Sequence, residues 1–117
     1  MFPKFRFFCT AGMFNVVAID FEKQTVQLDD GDIRKMKDGT LMQSTGLTDK
    51  NGKDIFESDI VRIDTAHYNP WRVEWMNKAC MFNFVHVTAQ GRQPAMNILD
   101  VARSKYEIIG NIFEDRD

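Results

Sequence analysis

The residues of this chain whose types and spacing could do chemistry fall into small groups. Leu47-Thr48-Asp49-Lys50-Asn51-Gly52 overlays on a calcium-binding EF-hand loop, with Asp49 and Asn51 on ligand positions and Gly52 on the required turn. The first ligand position then holds Leu47, and the last, where a bidentate Glu belongs, holds Ser58. Losing those two anionic ligands removes most of the charge that holds the ion, so the Asn-Gly step is read as a structural turn. Asp29, Asp30 and Asp32 offer carboxylates to a hard cation, but they crowd one turn beside Arg34 and Lys35 with no distant ligand in view. No metal site is expected. His67, His86, Cys9 and Cys80 form no CxxC pair and no nucleophile–base signature, so no catalytic residue and no cofactor is assigned.

Tyr68, Trp71, Arg72 and Trp75, with Arg92 further on, are the aromatic-plus-basic cluster. Such residues stack bases, pair phosphates, or anchor protein–protein contacts. Strand alternation assigns Val73 and Trp75 to the core and Arg72 and Glu74 to water, leaving Tyr68 and Trp71 as the surface candidates.

The elements that must position these residues are short. Phe5 to Phe8 reads as a first strand, turning at Thr10–Gly12. Asn15 to Phe21 and Gln24 to Leu28 read as a hairpin closed by Glu22–Lys23, with Val17, Ile19 and Phe21 on one face. Asp29 to Asp32 is a turn, and Ile33 to Asp38 is ambiguous. Leu41 to Gln43 is a further short strand, and Ile55 to Ile63 one extended segment. Trp71 to Met76 and Met81 to Val87 make a second hairpin, turning at Asn77–Lys78. Tyr106 to Phe113 closes the chain, and a helix is predicted only near residues 97–103. The fold class is mainly β: one domain over 1–117, a small antiparallel, partly open barrel or sandwich.

Composition sets outer limits. With 15 Lys and Arg against 17 Asp and Glu, the formal net charge is −2, which excludes a strongly basic nucleic-acid coat and a long acidic tail. Lys4 and Arg6 ahead of the uncharged run Phe7–Ile19 imitate a signal peptide, but Thr10, Gly12 and Asn15 interrupt it and two strands explain it better. No apolar stretch is long enough to span a bilayer as a helix, so a cytoplasmic protein with no membrane partner is expected.

The run Leu41-Met42-Gln43-Ser44-Thr45-Gly46-Leu47-Thr48-Asp49-Lys50-Asn51-Gly52-Lys53-Asp54-Ile55-Phe56-Glu57-Ser58-Asp59-Ile60-Val61 resembles the YopX family of phage and prophage proteins. Lys4-Phe5-Arg6 is similar to the family's opening, and Glu107-Ile108-Ile109-Gly110-Asn111-Ile112-Phe113-Glu114 to its closing segment. Ser58 stands where the family usually has Gly, and Phe7-Phe8-Cys9 replaces a Trp-Asp step, making Phe8 a candidate contact residue. The resemblance brings no catalytic residues. Thr45, Gly46, Asp49, Asn51, Gly52, Asp59, Gly110 and Asn111 read as its folding motif, with turns at the glycines and caps at the acids and amides. It implies a phage or prophage accessory protein that binds a host or phage macromolecule, with inhibition of a host defence system such as a CRISPR effector as one form. The expected contact residues are Phe8, Tyr68, Trp71, Arg72 and Arg92. Alternatives are a β-barrel that binds nucleic acid and a metal-dependent nuclease or hydrolase using the Asp29–Asp32 cluster and His86. Homo-oligomers are compatible with all of these.

Overall fold

The computed structural model describes residues 4–64, 69–76, 81–86, 95–98, 101 and 105–114. The chain divides into two compact units, Met1–Ser44 and Thr45–Asp117.

In the first unit β1 (Phe5–Cys9), β2 (Gly12–Asp20), β3 (Thr25–Leu28) and β4 (Ile33–Lys35) follow one another in an antiparallel meander. Cys9 pairs with Gly12, which leaves Thr10 and Ala11 as a two-residue turn. Gly12 takes the positive φ, 122°, that a Cβ would resist. A one-turn 3-10 helix, Met36–Asp38, leads into β5 (Thr40–Thr48), which returns beside β1. Alternation along β1 and β3 points Phe7, Cys9, Val26 and Leu28 into a small core, with Phe14, Val16, Ile19, Met36 and Leu41 packed around them. Gly39 is small for a reason: a Cβ there would run into the Phe7 ring and the Phe8 carbonyl oxygen.

The expected face of Val17, Ile19 and Phe21 does not exist. Val16 pairs with Leu28 but Ala18 pairs with Gln27, so Val17 is the extra residue of a β-bulge. The bulge reverses the inward phase from Phe14 and Val16 to Ile19, and it leaves Val17 62% exposed. Phe21 falls beyond the strand, in the turn, and is exposed too.

β5 runs on into the second unit, where β6 (Asp54–Phe56) lies next to it in the order β4-β3-β2-β1-β5-β6. The other sheet of the second unit has the order β10-β9-β8-β7-β11, all antiparallel. Its strands are β7 (Asp59–Ile63), β8 (Trp71–Met76), β9 (Met81–His86), β10 (Ala95–Asn97) and β11 (Tyr106–Asn111). Ile55, Val61, Ile63, Trp71, Val73, Phe84, Ile98 and Tyr106 form its core, where the Phe84 and Tyr106 rings meet edge to face at 5.1 Å.

The fold is mainly β, and among the described residues neither sheet closes into a barrel. The segment Ile55–Ile63 is two strands rather than one, broken at Glu57–Ser58. The helix predicted near 97–103 is displaced at its start, because Asn97 pairs with Asn83 as the last residue of β10. Residues 99–100 and 102–103 of that segment lie outside the described residues. The longest helical stretch among the described residues is the single turn Met36–Asp38.

Candidate functional site

The densest motif is a set of backbone clamps. Asp49, only 3% exposed, sits at the end of β5. Its Oδ1 accepts the N–H groups of Asn51 at 2.9 Å and Lys53 at 3.0 Å, which closes the turn locally. Its Oδ2 accepts the N–H of Ile108 at 2.9 Å, 59 residues along the chain in β11. Gly52, at φ 80°, donates to the Asp49 carbonyl at 3.0 Å. Burial pushes the Asp49 carboxyl up, but its three backbone N–H partners, with the nearby Lys53 charge, outweigh that and hold it below its ordinary value. Both oxygens that would serve a calcium ion are therefore already engaged by the fold.

Lys50 continues the clamp. Its N–H donates to the Tyr106 carbonyl at 3.0 Å, and its Nζ lies 3.3 Å from Asp64 and 3.9 Å from Glu107. Arg62 reaches the same two carboxylates at 3.5 and 3.1 Å, so four charges of alternating sign ring the surface over β7 and β11.

Thr45 and Gly46 act earlier in β5. The Thr45 hydroxyl donates to the Ile55 carbonyl at 2.9 Å and accepts the Leu47 N–H at 3.2 Å, and Gly46 takes φ 83°. Asp59, fully buried, accepts the Phe56 N–H at 2.8 Å across the Glu57–Ser58 turn. Asn111 closes β11: its Oδ1 accepts the N–H groups of Phe113 and Glu114, both at 2.9 Å, and its Nδ2 donates to Glu114 at 2.8 Å. Just before it, Ile109 is the extra residue of a bulge between Ile108 and Gly110.

Ser58 holds φ 72°, a left-handed conformation unusual for a residue with a Cβ. Its peptide is fixed on both sides: its N–H donates to the Val73 carbonyl at 2.8 Å, and its carbonyl accepts the Ile112 N–H at 3.0 Å. It thus extends both the β7–β8 and the β7–β11 ladders by one step, and the ladders impose the conformation. The Gly-to-Ser departure leaves the backbone conformation in place.

A shallow groove of about 300 Å³ opens at this turn, lined by Glu57, Ser58, Ile112 and the β8 residues Arg72, Val73, Glu74 and Trp75. Arg72 and Glu74 share one face of β8 and pair at 3.0 Å. Trp75 is 44% exposed and meets Phe82 edge to face at 5.0 Å, and Ile112 is 46% exposed.

The two tryptophans exchange the roles expected of them. Trp71, the expected surface residue, is 6% exposed and belongs to the core. Trp71, Val73 and Trp75 do share a strand face, but β8 runs off the core toward its hairpin end, so the face is covered at Trp71 and open at Trp75. The nearness of Trp75 to Asn77–Lys78, where the sequence predicts a turn, was the available sequence signal.

Among the described residues, Arg72 is the one expected contact residue that lines the groove. Phe8 is half-buried in β1, which pairs with β2 on one side and β5 on the other, so its strand is interior to the sheet and not at an edge. Tyr68 and Arg92 lie outside the described residues, as do His67 and Cys80. Cys9 is a buried free thiol. Asp30 and Asp32 are taken by turn chemistry: Asp30 accepts the Asp32 N–H, and Asp32 accepts the Ile33 N–H and pairs with Arg34 at 2.8 Å. Among the described residues no group of three His, Cys, Asp or Glu side chains is arranged to hold a metal ion. No helix among them is long and apolar enough to cross a membrane.

A family model described as YopX protein matches residues 10–116. The chain belongs to the YopX family. The match runs through both compact units. A solved structure described as protein EF1440 from Enterococcus faecalis superposes with a TM-score of 0.57 at 24% identity, covering 96% of this chain and 94% of that one. At that identity the likeness speaks to the fold alone. Comparison with curated proteins gives no match. The two segments that carry the YopX resemblance most densely, 41–61 and 107–114, are the same two that Asp49, Ser58 and the β7–β11 ladder fasten together.

Proposed function

We propose that this YopX-family chain is a binding module without chemistry of its own, and that the groove at Trp75, Arg72 and Ile112 is its contact surface. The observation that carries this reading is the division of labour among its side chains. The motif's carboxylates and amides are spent on backbone groups of the chain itself, as at Asp49 and Asn111. The residue types that dominate binding hot spots, a half-exposed tryptophan beside an arginine and an exposed isoleucine, stand together in a concave place.

A protein partner suits this groove better than nucleic acid. Glu57 and Glu74 line it alongside the single Arg72, and Arg72 already pairs with Glu74, which is poor provision for phosphate. The resemblance to phage and prophage proteins supports a host or phage protein of a bacterial cytoplasm as that partner. Blocking a host defence factor, a CRISPR effector among them, is the specific form that association suggests. The test is a tagged pull-down from host lysate with and without nuclease, using wild type and Trp75→Ala. One stoichiometric protein that survives nuclease and is lost with Trp75→Ala supports the reading. Partners that vanish with nuclease favour a nucleic-acid binder instead, and capture indifferent to Trp75→Ala sinks the assigned surface.

A further inference from the structure

The three most exposed large hydrophobic side chains among the described residues all belong to the first unit. Phe21 is 74% exposed, Ile33 63% and Val17 62%, while none elsewhere exceeds the 46% of Ile112. Part of the cause is the bulge in β2, which turns two successive side chains, Val17 and Ala18, away from the core. The register of β2, β3 and β4 then sets the outer face of this sheet in two rows. One row is Ala18, Gln27 and Ile33, and the next is Asp20, Thr25 and Lys35. All of these but Lys35 line one shallow hollow of about 280 Å³. Asp20 and Lys35 stand about 10 Å apart on either side of Thr25, two strand spacings, and among the described residues neither side chain joins an ion pair.

We propose that this face of β2, β3 and β4 packs against the same face of a second copy of the chain, with β2 of each copy over β4 of the other. The occupant follows from the register. A two-fold axis lying between two stacked sheets and running along β3 exchanges β2 with β4 and keeps each row opposite itself. Asp20 of each copy then meets Lys35 of the other, and Ala18 meets Ile33. Gln27 and Thr25 lie at the axis and meet their own copies, which an amide and a hydroxyl can do because each both donates and accepts. Every position of the two rows thus faces a group that complements it. An axis turned across the strands exchanges the rows instead. It sets Asp20 against Ala18 and Lys35 against Ile33, burying charge on apolar surface. The pattern therefore selects one partner, a second copy, and one orientation for it. The face lies in the first unit, so this inference is independent of the groove at Trp75.

The experiment is a charge-swap series read by sedimentation velocity from micromolar to millimolar concentration, with circular dichroism as the check on folding. Wild type is expected to double its 13.6 kDa mass toward the upper end of that range, since three short strands make a small interface. Lys35→Asp and Asp20→Lys each set like charges together and should hold the mass at that of one chain. The double variant, Asp20→Lys with Lys35→Asp, should restore association. Ile33→Glu should abolish it. Asp20 also accepts the Lys23 N–H at 3.0 Å, so where its lysine variants lose the native spectrum, Lys35→Asp and Ile33→Glu decide alone. A wild type that keeps the mass of one chain at every concentration overturns the proposal. So does a dimer that persists in Lys35→Asp and Ile33→Glu, since it would use another surface. A folded double variant that stays monomeric overturns the register and the proposal with it. Loss of the fold in both Lys35→Asp and Ile33→Glu also overturns it, because side chains needed to fold one chain are no free face.

Discussion

Replacing Asp49 with Asn changes one oxygen to an NH₂ group and removes one charge, with almost no change of shape. The amide oxygen is best placed where Oδ1 sits, accepting from Asn51 and Lys53. The new Nδ2 then faces the Ile108 N–H, donor against donor, in a place only 3% exposed. Losing one hydrogen bond to a charged group costs about 1.5–3 kcal/mol. The two surviving bonds lose their charge assistance, about 1 kcal/mol each if ionised acceptors are roughly twice as strong. Against this stands relief of the carboxylate's desolvation, so the net cost expected at pH 7 is about 2–4 kcal/mol. The pH dependence follows from the direction of the shift. Asp49 is held below its ordinary value in the folded chain. Its stabilisation is therefore complete above the unfolded carboxylate's pKa, about 3.9, and is lost as pH falls through the lower folded value. Urea unfolding followed by tryptophan fluorescence, from pH 7 down into the acid range, measures both quantities. The gap between wild type and Asp49→Asn should be widest near neutrality and close as the medium is acidified. A cost under about 1 kcal/mol at pH 7, or a gap that does not narrow in acid, refutes the assignment of three charge-assisted bonds to this carboxylate.

Other substitutions probe the remaining parts of the fold by the same unfolding measurement. Ser58→Gly removes a Cβ from a left-handed backbone that costs about 1–2 kcal/mol, and glycine's extra unfolded-state freedom returns roughly 0.5–1 of that. A net gain of about 0.5–1 kcal/mol is expected, and a loss of stability would show that the serine makes a contact worth more than its strain. Gly39→Ala should cost about 1–3 kcal/mol, because φ of −170° suits any residue but the added methyl strikes Phe7 and the Phe8 carbonyl. An unchanged midpoint would mean that β1 and the Gly39 backbone part easily. Trp71→Ala should cost about 3–5 kcal/mol as a core truncation, whereas Trp75→Ala should cost only about 1, chiefly its edge-to-face contact with Phe82. The reverse ranking would return the tryptophans to the positions that simple alternation gives them.

What was legible in the sequence was whatever is decided by near neighbours. The turn expected at Thr10–Gly12, the Asp29–Asp32 turn, the Asn-Gly turn and the run of short strands each depend on a few adjacent residues, and each stands close to where the local chemistry puts it. Two of the errors come from one residue being out of step and from one face ending early. A strict period of two cannot see the bulge at Val17, because the extra residue is defined only by the partner strand that skips it. Nor can it see that the core gives out along β8 between Val73 and Trp75, which exchanges the two tryptophans. Asp49 lies between these cases. As one letter of a D-K-N-G turn it reads as a local cap, and its Oδ1 bears that out. Its Oδ2 serves a residue 59 positions away, a role no local pattern records. The same holds for Ser58, whose backbone joins Val73 to Ile112. A motif so dense in a chain with no assigned chemistry invites a search for a ligand among its acids and amides. The hydrogen bonds give it another purpose: its residues meet the chain's closing segment, and the exposed Trp75 and Ile112 lie at its border.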